Sequence, residues 1–204
     1  MVPHFILAIT LLASPEIIDR ILAVVGNSII TQSDLVAAER LGLEKAPRGA
    51  EDPTAASLER LIERRLMLIE VDRYAPPEPP PANVDLRLEQ VRLSFPSLAA
   101  FEAVLKETGL DEIQLRRRLR DDLRIDAYLQ QRFGTVVQPT EEQILEYYQA
   151  HPAEFTTNGV LRSFNEVHED VRQALATERR SRAIRDWLGN LRRRANVNVL
   201  YAPK

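Results

Sequence analysis

The amino-acid sequence predicts a mainly α-helical protein with one small antiparallel β-sheet. Over most of the chain, apolar residues recur at every third or fourth position, which is the period of an amphipathic helix. Proline, glycine and capping residues divide this pattern into separate helices. Strand-like runs stand near both ends of the chain, at residues 17–30 and 197–201. We therefore expect an N-terminal hairpin and a C-terminal strand to form one sheet, against which the helices pack.

The predicted hairpin occupies residues 17–30 and is the element around which the chain is organised. Residues 17–25 are rich in β-branched and other apolar side chains, and residues 28–30 form a second short run. Gly26-Asn27 lies between the two runs, and both residues tolerate the positive φ angle that a tight hairpin turn requires. An isolated hairpin is only marginally stable in water. The helices and the strand 197–201 must therefore cover it.

Capping residues and breakers set the boundaries of the predicted helices. A Ser, Thr or Asp with an acidic or amide residue three positions later can cap a helix in both directions. Such pairs are Thr31 with Asp34, Asp111 with Gln114, Thr140 with Gln143, and Ser163 with Glu166. Gly or Pro follows most of the periodic stretches and ends them. The predicted helices span residues 32–41, 54–74, 83–95, 98–108, 112–133, 141–150 and 164–195.

Each helix has an apolar face that is expected to meet the core. In the fifth helix this face includes Leu115, Leu119, Leu123 and Ala127. In the last helix, apolar positions stand on either side of the polar, arginine-rich stretch 178–182, which is therefore expected to face solvent.

Two segments connect these helices without a helical pattern of their own. Residues 75–81, APPEPPP, end the second helix, and proline-rich runs favour the extended polyproline II conformation. We interpret this run as a stiff connector; the alternative is a recognition motif for an aromatic-lined groove. Residues 155–163, FTTNGVLRS, are expected to form a short turn-like segment.

Composition argues against several kinds of site. The chain of 204 residues is 45% hydrophobic and 28% charged, with a net charge of −3, so there is no general reason to expect nucleic acid as a partner. It has no cysteine, hence no disulfide and no thiol nucleophile. His4, His151 and His168 stand far apart in the sequence, which argues against a zinc site. No catalytic residue, metal site or cofactor is predicted.

Residues 1–13 resemble a signal segment. The apolar run 5–13 ends in a small residue and is followed by Ser14-Pro15, as at a cleavage site, and it is too short to span a bilayer. No Lys or Arg precedes the run, so the alternatives are a start codon assigned too far downstream or a buried N-terminal strand. We expect export, and no integral membrane segment.

The arginine clusters at residues 116–124, 179–185 and 192–194 are the most visible charged feature. Because acidic residues are mixed with them and the net charge is negative, we interpret them as solvated helix faces. The alternatives are a polyanion site and contact with a substrate or a membrane surface. Large amphipathic residues such as Tyr147, Tyr148 and Trp187 pack in or beside a core in most proteins, and otherwise contact an apolar ligand.

Residues 18–35, IDRILAVVGNSIITQSDL, resemble the opening of the SurA-like periplasmic chaperones and the related parvulin-type foldases. The resemblance continues through residues 61–66, 101–110, 141–155 and 187–200. In that family, the N-terminal helices and the C-terminal helix and strand form one chaperone module, into which parvulin isomerase domains are inserted. The resemblance thus covers nearly the whole chain from residue 17 to residue 200.

The resemblance implies a module without an isomerase. The place of the inserted domains is taken by residues 156–163, whereas an independent domain needs at least ~50 residues. The implied organisation is a signal segment 1–13, an N-terminal part 14–155, a short bridge 156–163, and a C-terminal helix and strand 164–204. The implied function is that of an ATP-independent periplasmic holdase for extended, aromatic-rich segments of unfolded outer-membrane proteins. The candidate peptide-binding residues are Phe95, Phe101, Tyr147, Tyr148 and Trp187.

Other functions stay open. A structural or assembly subunit would use the same groove for one fixed envelope partner, and a prolyl isomerase with a minimal active site is a third hypothesis. An apolar surface can also pair with itself, and long helices joined by proline-rich connectors permit a homodimer formed by domain swapping.

Overall fold

The computed structural model describes residues 19–134 and 139–201. Within these residues the chain forms seven α-helices and a three-stranded antiparallel sheet, which confirms the predicted mainly α fold with a sheet built from both ends of the chain. The predicted signal segment 1–13 and the first two residues of the predicted strand 17–25 lie outside the described residues. No described helix combines the length and the apolar character needed to span a membrane.

The elements follow the predicted order. The helices are α1 (Gln32–Arg40), α2 (Pro53–Tyr74), α3 (Pro81–Leu93), α4 (Leu98–Thr108), α5 (Glu112–Phe133), α6 (Glu141–Ala150) and α7 (Phe164–Arg194). The strands are β1 (Ile21–Val25), β2 (Ser28–Thr31), β3 (Thr156–Thr157), β4 (Val160–Leu161) and β5 (Val197–Val199). The predicted capping boxes at α1, α5 and α6 form in both directions. At α7, the backbone N–H of Ser163 donates to Glu166 Oε2 at 3.1 Å.

The main sheet joins the two ends of the chain. Its strand order is β2-β1-β5, and both pairings are antiparallel. Val25 pairs with Ser28 across the hairpin turn and with Val197 on its other side. Gly26 has a φ angle of +59° in the turn, and its N–H donates to the carbonyl of Asn196 at 2.8 Å. The hairpin tip is therefore tied to the segment that follows α7.

Three clusters of buried apolar side chains stabilise the fold. The sheet cluster joins β1 and β2 to α1, α2 and the second halves of α5 and α7. The α3–α4 cluster joins those two helices to the end of α1 and the first half of α5. The α6 cluster joins α6 and the 3-10 turn Pro152–Phe155 to the first half of α7. Helices α5 and α7 are thus each shared between two clusters.

Helix α5 changes its buried face along its length because it belongs to two clusters. Leu115 and Leu119 are buried in the α3–α4 cluster, whereas Ile125 and Tyr128 are buried in the sheet cluster. The prediction that Ala127 faces the core is wrong, because Ala127 is exposed. Ala127 lies on the same face of α5 as Leu115 and Leu119, which pack against α3. In the second half of α5, however, the neighbouring helices are α2 and α7, and they contact a different face.

Helix α7 spans the distance between the α6 cluster and the sheet cluster. No residue between Leu175 and Trp187 is buried, in line with the polar pattern there. Residues 178–180 are nevertheless half-buried, and Arg179 Nη1 donates to Gln143 Oε1 of α6 at 3.0 Å. The middle of α7 is thus partly covered by α6 and does not simply face solvent.

Two local predictions differ from the structure. Helix α3 begins at Pro81 instead of residue 83, because proline lacks only an N–H that would be unpaired in the first turn anyway. Residues 156–161 form a small hairpin of β3 and β4 instead of a simple turn. Asn158 and Gly159 at its tip have φ angles of +52° and +79°, as a two-residue hairpin turn requires.

Candidate functional site

The proline connector, residues 75–80, lies against one face of α5. On that face, Arg117, Arg120, Arg124, Tyr128 and Gln131 follow one another at intervals of three or four residues. Two neighbouring concave surfaces open here, one where α2 ends and one where α3 begins. We call them the aromatic pocket and the proline groove.

The aromatic pocket has a volume of about 310 Å³ and is lined by Tyr74, Pro76, Tyr128, Gln131 and Arg132. The ring centroids of Tyr74 and Tyr128 are 5.6 Å apart. Because Tyr74 is 58% exposed, an incoming apolar side chain can reach its ring. Arg132 Nη1 donates to the Tyr128 hydroxyl at 3.1 Å, and burial raises the pKa of Tyr128. The phenol therefore keeps its proton near neutral pH.

A cluster of tilted aromatic rings packs beside this pocket. The centroid of Trp187 lies 5.8 Å from that of Tyr128 and 5.6 Å from that of Phe133. The guanidinium of Arg132 stands 5.6–5.9 Å from the centroids of all three rings. At these distances, cation–π attraction holds the arginine against the rings. Arg132 is thus fixed as a wall of the pocket.

The proline groove is larger, with a volume of about 550 Å³. Prolines and a valine give it an apolar floor, and arginines of α5 form its rim. Its lining residues are Glu78, Pro79, Pro80, Pro81, Val84, Arg116, Arg117 and Arg120. The backbone angles of Pro80 (φ −53°, ψ 137°) lie near polyproline II, whereas Ala75 is left-handed (φ 43°) and Pro81 already belongs to α3.

A buried arginine fixes the connector against α5 at Glu78. Arg124 is only 8% exposed, so the prediction of a solvated arginine face is wrong at this position. Its Nη1 lies 2.9 Å from Asp72 Oδ1, and its Nε lies 3.4 Å from Glu78 Oε1. A buried guanidinium is stable only with such partners, and three carboxylates surround this one, the third being Asp121 at 3.6 Å. Only the pair with Glu78 reaches the connector, because Asp72 lies on α2 and Asp121 on α5.

The two concave surfaces together have the length of a short extended peptide. Arg116 lines the proline groove and Arg132 lines the aromatic pocket. Helix α5 rises about 24 Å between them. A fully extended peptide covers that distance with about seven residues.

The aromatic candidates from the sequence lie elsewhere. Phe101 is 1% exposed and packs edge-on against the half-buried Phe95 in the α3–α4 cluster. Tyr147 and Tyr148 are half-buried at the α6 cluster, where their hydroxyls donate to Glu154 Oε2 and to the carbonyl of Arg162. Trp187 is 6% exposed in the sheet cluster. The five residues fall in three clusters, and none lines the aromatic pocket or the proline groove.

Sequence reasoning missed Tyr74 and Tyr128, the two aromatic residues that line the candidate site. Tyr74 is the last residue of α2 and directly precedes the proline run, which is a local signal for an aromatic side chain beside an extended segment. Tyr128 has no comparable signal, because the helical period of α5 alone does not show that its buried face changes after Leu119.

No group of three or more His, Cys, Asp and Glu side chains within residues 19–134 and 139–201 is arranged to hold a metal ion. Comparison of the chain with known protein families finds no matching family model. Comparison with curated proteins likewise finds no match.

Proposed function

We propose that the protein is an ATP-independent holdase that binds extended segments of unfolded exported polypeptides along α5. The proposed clients include outer-membrane proteins, and the proposed location is the periplasm. The clients and the location are supported by the resemblance of residues 18–35 to the SurA-like chaperones. The mode of binding is supported by the site itself.

The observation that carries the proposal is the alignment of two open, largely apolar concave surfaces along one helix face. Tyr74 and Tyr128 in one, and Pro79, Pro80 and Val84 in the other, offer apolar contact to side chains of any sequence. Apolar contact together with hydrogen bonds to the client backbone gives affinity without a fixed polar code, which is what a promiscuous binder needs. A client loses conformational entropy on binding, so we expect modest affinity and rapid exchange.

The direct test is the aggregation of a chemically unfolded outer-membrane β-barrel protein, diluted without ATP into increasing concentrations of this protein. Light scattering that falls with the molar ratio supports the proposal. Unchanged scattering, with the helical circular dichroism of the protein intact, contradicts it. Suppression limited to one client, with no effect on several unrelated unfolded proteins, would instead assign the groove to a fixed partner.

A matched pair of variants tests whether the aromatic pocket is responsible. Tyr74→Ala removes the exposed ring of the aromatic pocket, whereas Leu98→Ala removes an apolar side chain of nearly equal exposure, 59% against 58%, at the start of α4. Because both side chains are largely solvated, neither change is expected to unfold the protein. We expect Tyr74→Ala to raise the concentration needed for half-suppression and Leu98→Ala to leave it unchanged. Equal behaviour of the two variants would remove the aromatic pocket from the mechanism.

A further inference from the structure

We propose that the proline groove selects client segments in which a carboxylate side chain stands next to an apolar one. This proposal rests on the proposed holdase function and adds a substrate class to it. The groove would place the apolar side chain on its proline floor and the carboxylate at its arginine rim.

The arginine rim has one cation that the protein itself leaves without a carboxylate. Arg116 pairs with Asp85, and Arg120 Nη2 lies 2.7 Å from Asp121 Oδ1. Arg117 is exposed between these two positions, and within the described residues 19–134 and 139–201 it forms no ion pair. An arginine presents a planar fork of N–H donors that matches a carboxylate in geometry as well as in charge. Arg117 is therefore the position at which an acidic side chain of a client gains most.

The connector itself is a segment of the proposed kind. In the sequence Glu78-Pro79-Pro80, a carboxylate is followed directly by apolar residues. Glu78 Oε1 lies 3.4 Å from Arg124 Nε, and its Oε2 lies 3.7 Å from Arg120 Nε. The same face of α5 thus already holds one acidic side chain beside an apolar stretch. Because Glu78 already pairs with Arg120 and Arg124, Arg117 is the rim arginine left for an acidic client residue.

The test compares two fluorescent peptides that are extended, uncharged elsewhere, and identical except for Asp or Asn beside a leucine. Fluorescence anisotropy gives the Kd of each peptide for the full chain. We expect the Asp peptide to bind about two- to fivefold more tightly at low salt, which is the range for an exposed ion pair. The difference should vanish near 1 M salt, where the Debye length is about 3 Å, while the apolar part of binding remains.

Two arginine variants locate the preference. Arg117→Gln should make the two peptides bind equally, whereas Arg193→Gln, an exposed arginine near the end of α7 that bonds to Asn190, should keep the preference. Both positions are solvated, so circular dichroism should match that of the wild type. A preference that survives in Arg117→Gln overturns the assignment to this groove.

The outcomes separate the present inference from the proposed function. Equal binding of the Asp and Asn peptides to the wild type overturns the acidic preference and leaves the holdase function standing. Absence of binding by either peptide, together with unchanged aggregation of the unfolded client, overturns both.

Discussion

The sheet cluster and the α6 cluster consist of the same kinds of apolar side chain but draw them from very different spans of the chain. The sheet cluster brings β1, near the start of the described residues, against Val197 and the second half of α7. The α6 cluster gathers side chains between Ile144 and Leu175 only. Non-local contacts form only after a long loop has closed, whereas local contacts need little closure. We therefore expect the α6 cluster to form and open more readily.

The difference suggests two units of stability joined by α7. No side chain between Leu175 and Trp187 is buried, so few apolar contacts couple the two ends of that helix. Regions with few buried contacts can open while the rest of a protein stays folded. The aromatic pocket depends on Tyr128 and Arg132, which pack on the sheet cluster and not on α6. Client binding should therefore survive an opening of the α6 cluster.

A natural probe distinguishes the two units. Trp187 is the single tryptophan of the chain and is buried in the sheet cluster. Its fluorescence reports unfolding of the sheet cluster. Amide hydrogen exchange in α6 reports opening of the α6 cluster.

The largest effect is expected for Ile62→Ala. Ile62 of α2 is fully buried in the sheet cluster, and its truncation leaves a cavity among neighbours that cannot all relax. We expect the free energy of unfolding to fall by about 2–5 kcal/mol. Urea unfolding followed by Trp187 fluorescence measures this change.

The matched control is Ile69→Ala on the same helix. Ile69 is 40% exposed, so the same truncation there should cost clearly less than it does at Ile62. Equal losses of unfolding free energy at Ile62 and Ile69 would contradict the conclusion that α2 packs against the core through its Ile62 face.

The second prediction concerns Ile144→Ala in α6. Ile144 is fully buried in the α6 cluster, and we expect a loss at the lower end of the large-to-small range, about 2 kcal/mol, because this small cluster can collapse around the gap. Amide protection in α6 should fall, while the urea midpoint reported by Trp187 stays the same. If both readouts shift together, the two clusters form one cooperative unit and the comparison fails.

The third prediction is a pair of glycine changes at the sheet cluster, with opposite signs. Gly26 has a φ angle of +59°, which an L residue adopts at a cost, so Gly26→Ala should destabilise by about 1 kcal/mol. Gly189 lies within α7, and an added Cβ would meet only Arg193 Nη1 at 3.7 Å. Gly189→Ala should therefore stabilise by about 0.5–1 kcal/mol. Urea unfolding followed by Trp187 fluorescence measures the free energy of unfolding of both variants. If the two substitutions change it in the same direction, the explanation from backbone conformation is wrong.

Features that depend on neighbouring residues could be predicted from the sequence, whereas features that depend on distant contacts could not. Turns and helix starts depend on residues within a few positions of one another, so Gly26-Asn27 and the cap at Thr31 are correctly predicted from local patterns. The pairing of the two chain ends could also be predicted. Strand-like runs stand only near the ends of the chain, and the N-terminal hairpin needs other elements to pack against it. The small hairpin at Asn158-Gly159 was within reach of the same rule, since Asn-Gly there also stands between β-branched residues.

The candidate site could not be predicted in the same way, because it depends on contacts between distant segments. Nothing local to Glu78 or Arg124 indicates that their side chains meet and fix the connector against α5. Amphipathic aromatic residues also look alike in a helical pattern. Phe101 and Trp187 proved to be buried, whereas Tyr74 proved to be exposed beside the prolines. Burial of each ring depends on which helices pack together, and a single sequence does not state that.

The smallest effect is expected from pH, and at the α6 cluster it depends on Glu141. Glu141 at the start of α6 accepts a hydrogen bond from His168 Nε2 at 2.6 Å and pairs with Arg172 at 3.2 Å, both on α7. The bond from His168 lowers the pKa of Glu141 below its usual 4.5. A carboxylate with a lowered pKa stabilises the fold above its unfolded value, and that contribution is lost as the pH falls through the folded value. Protection factors in α6 should therefore decrease as the pH falls below about 4.5. Glu141→Gln removes the titrating group and should flatten this dependence. An equally steep decrease in that variant would assign the acid sensitivity of the α6 cluster to other carboxylates.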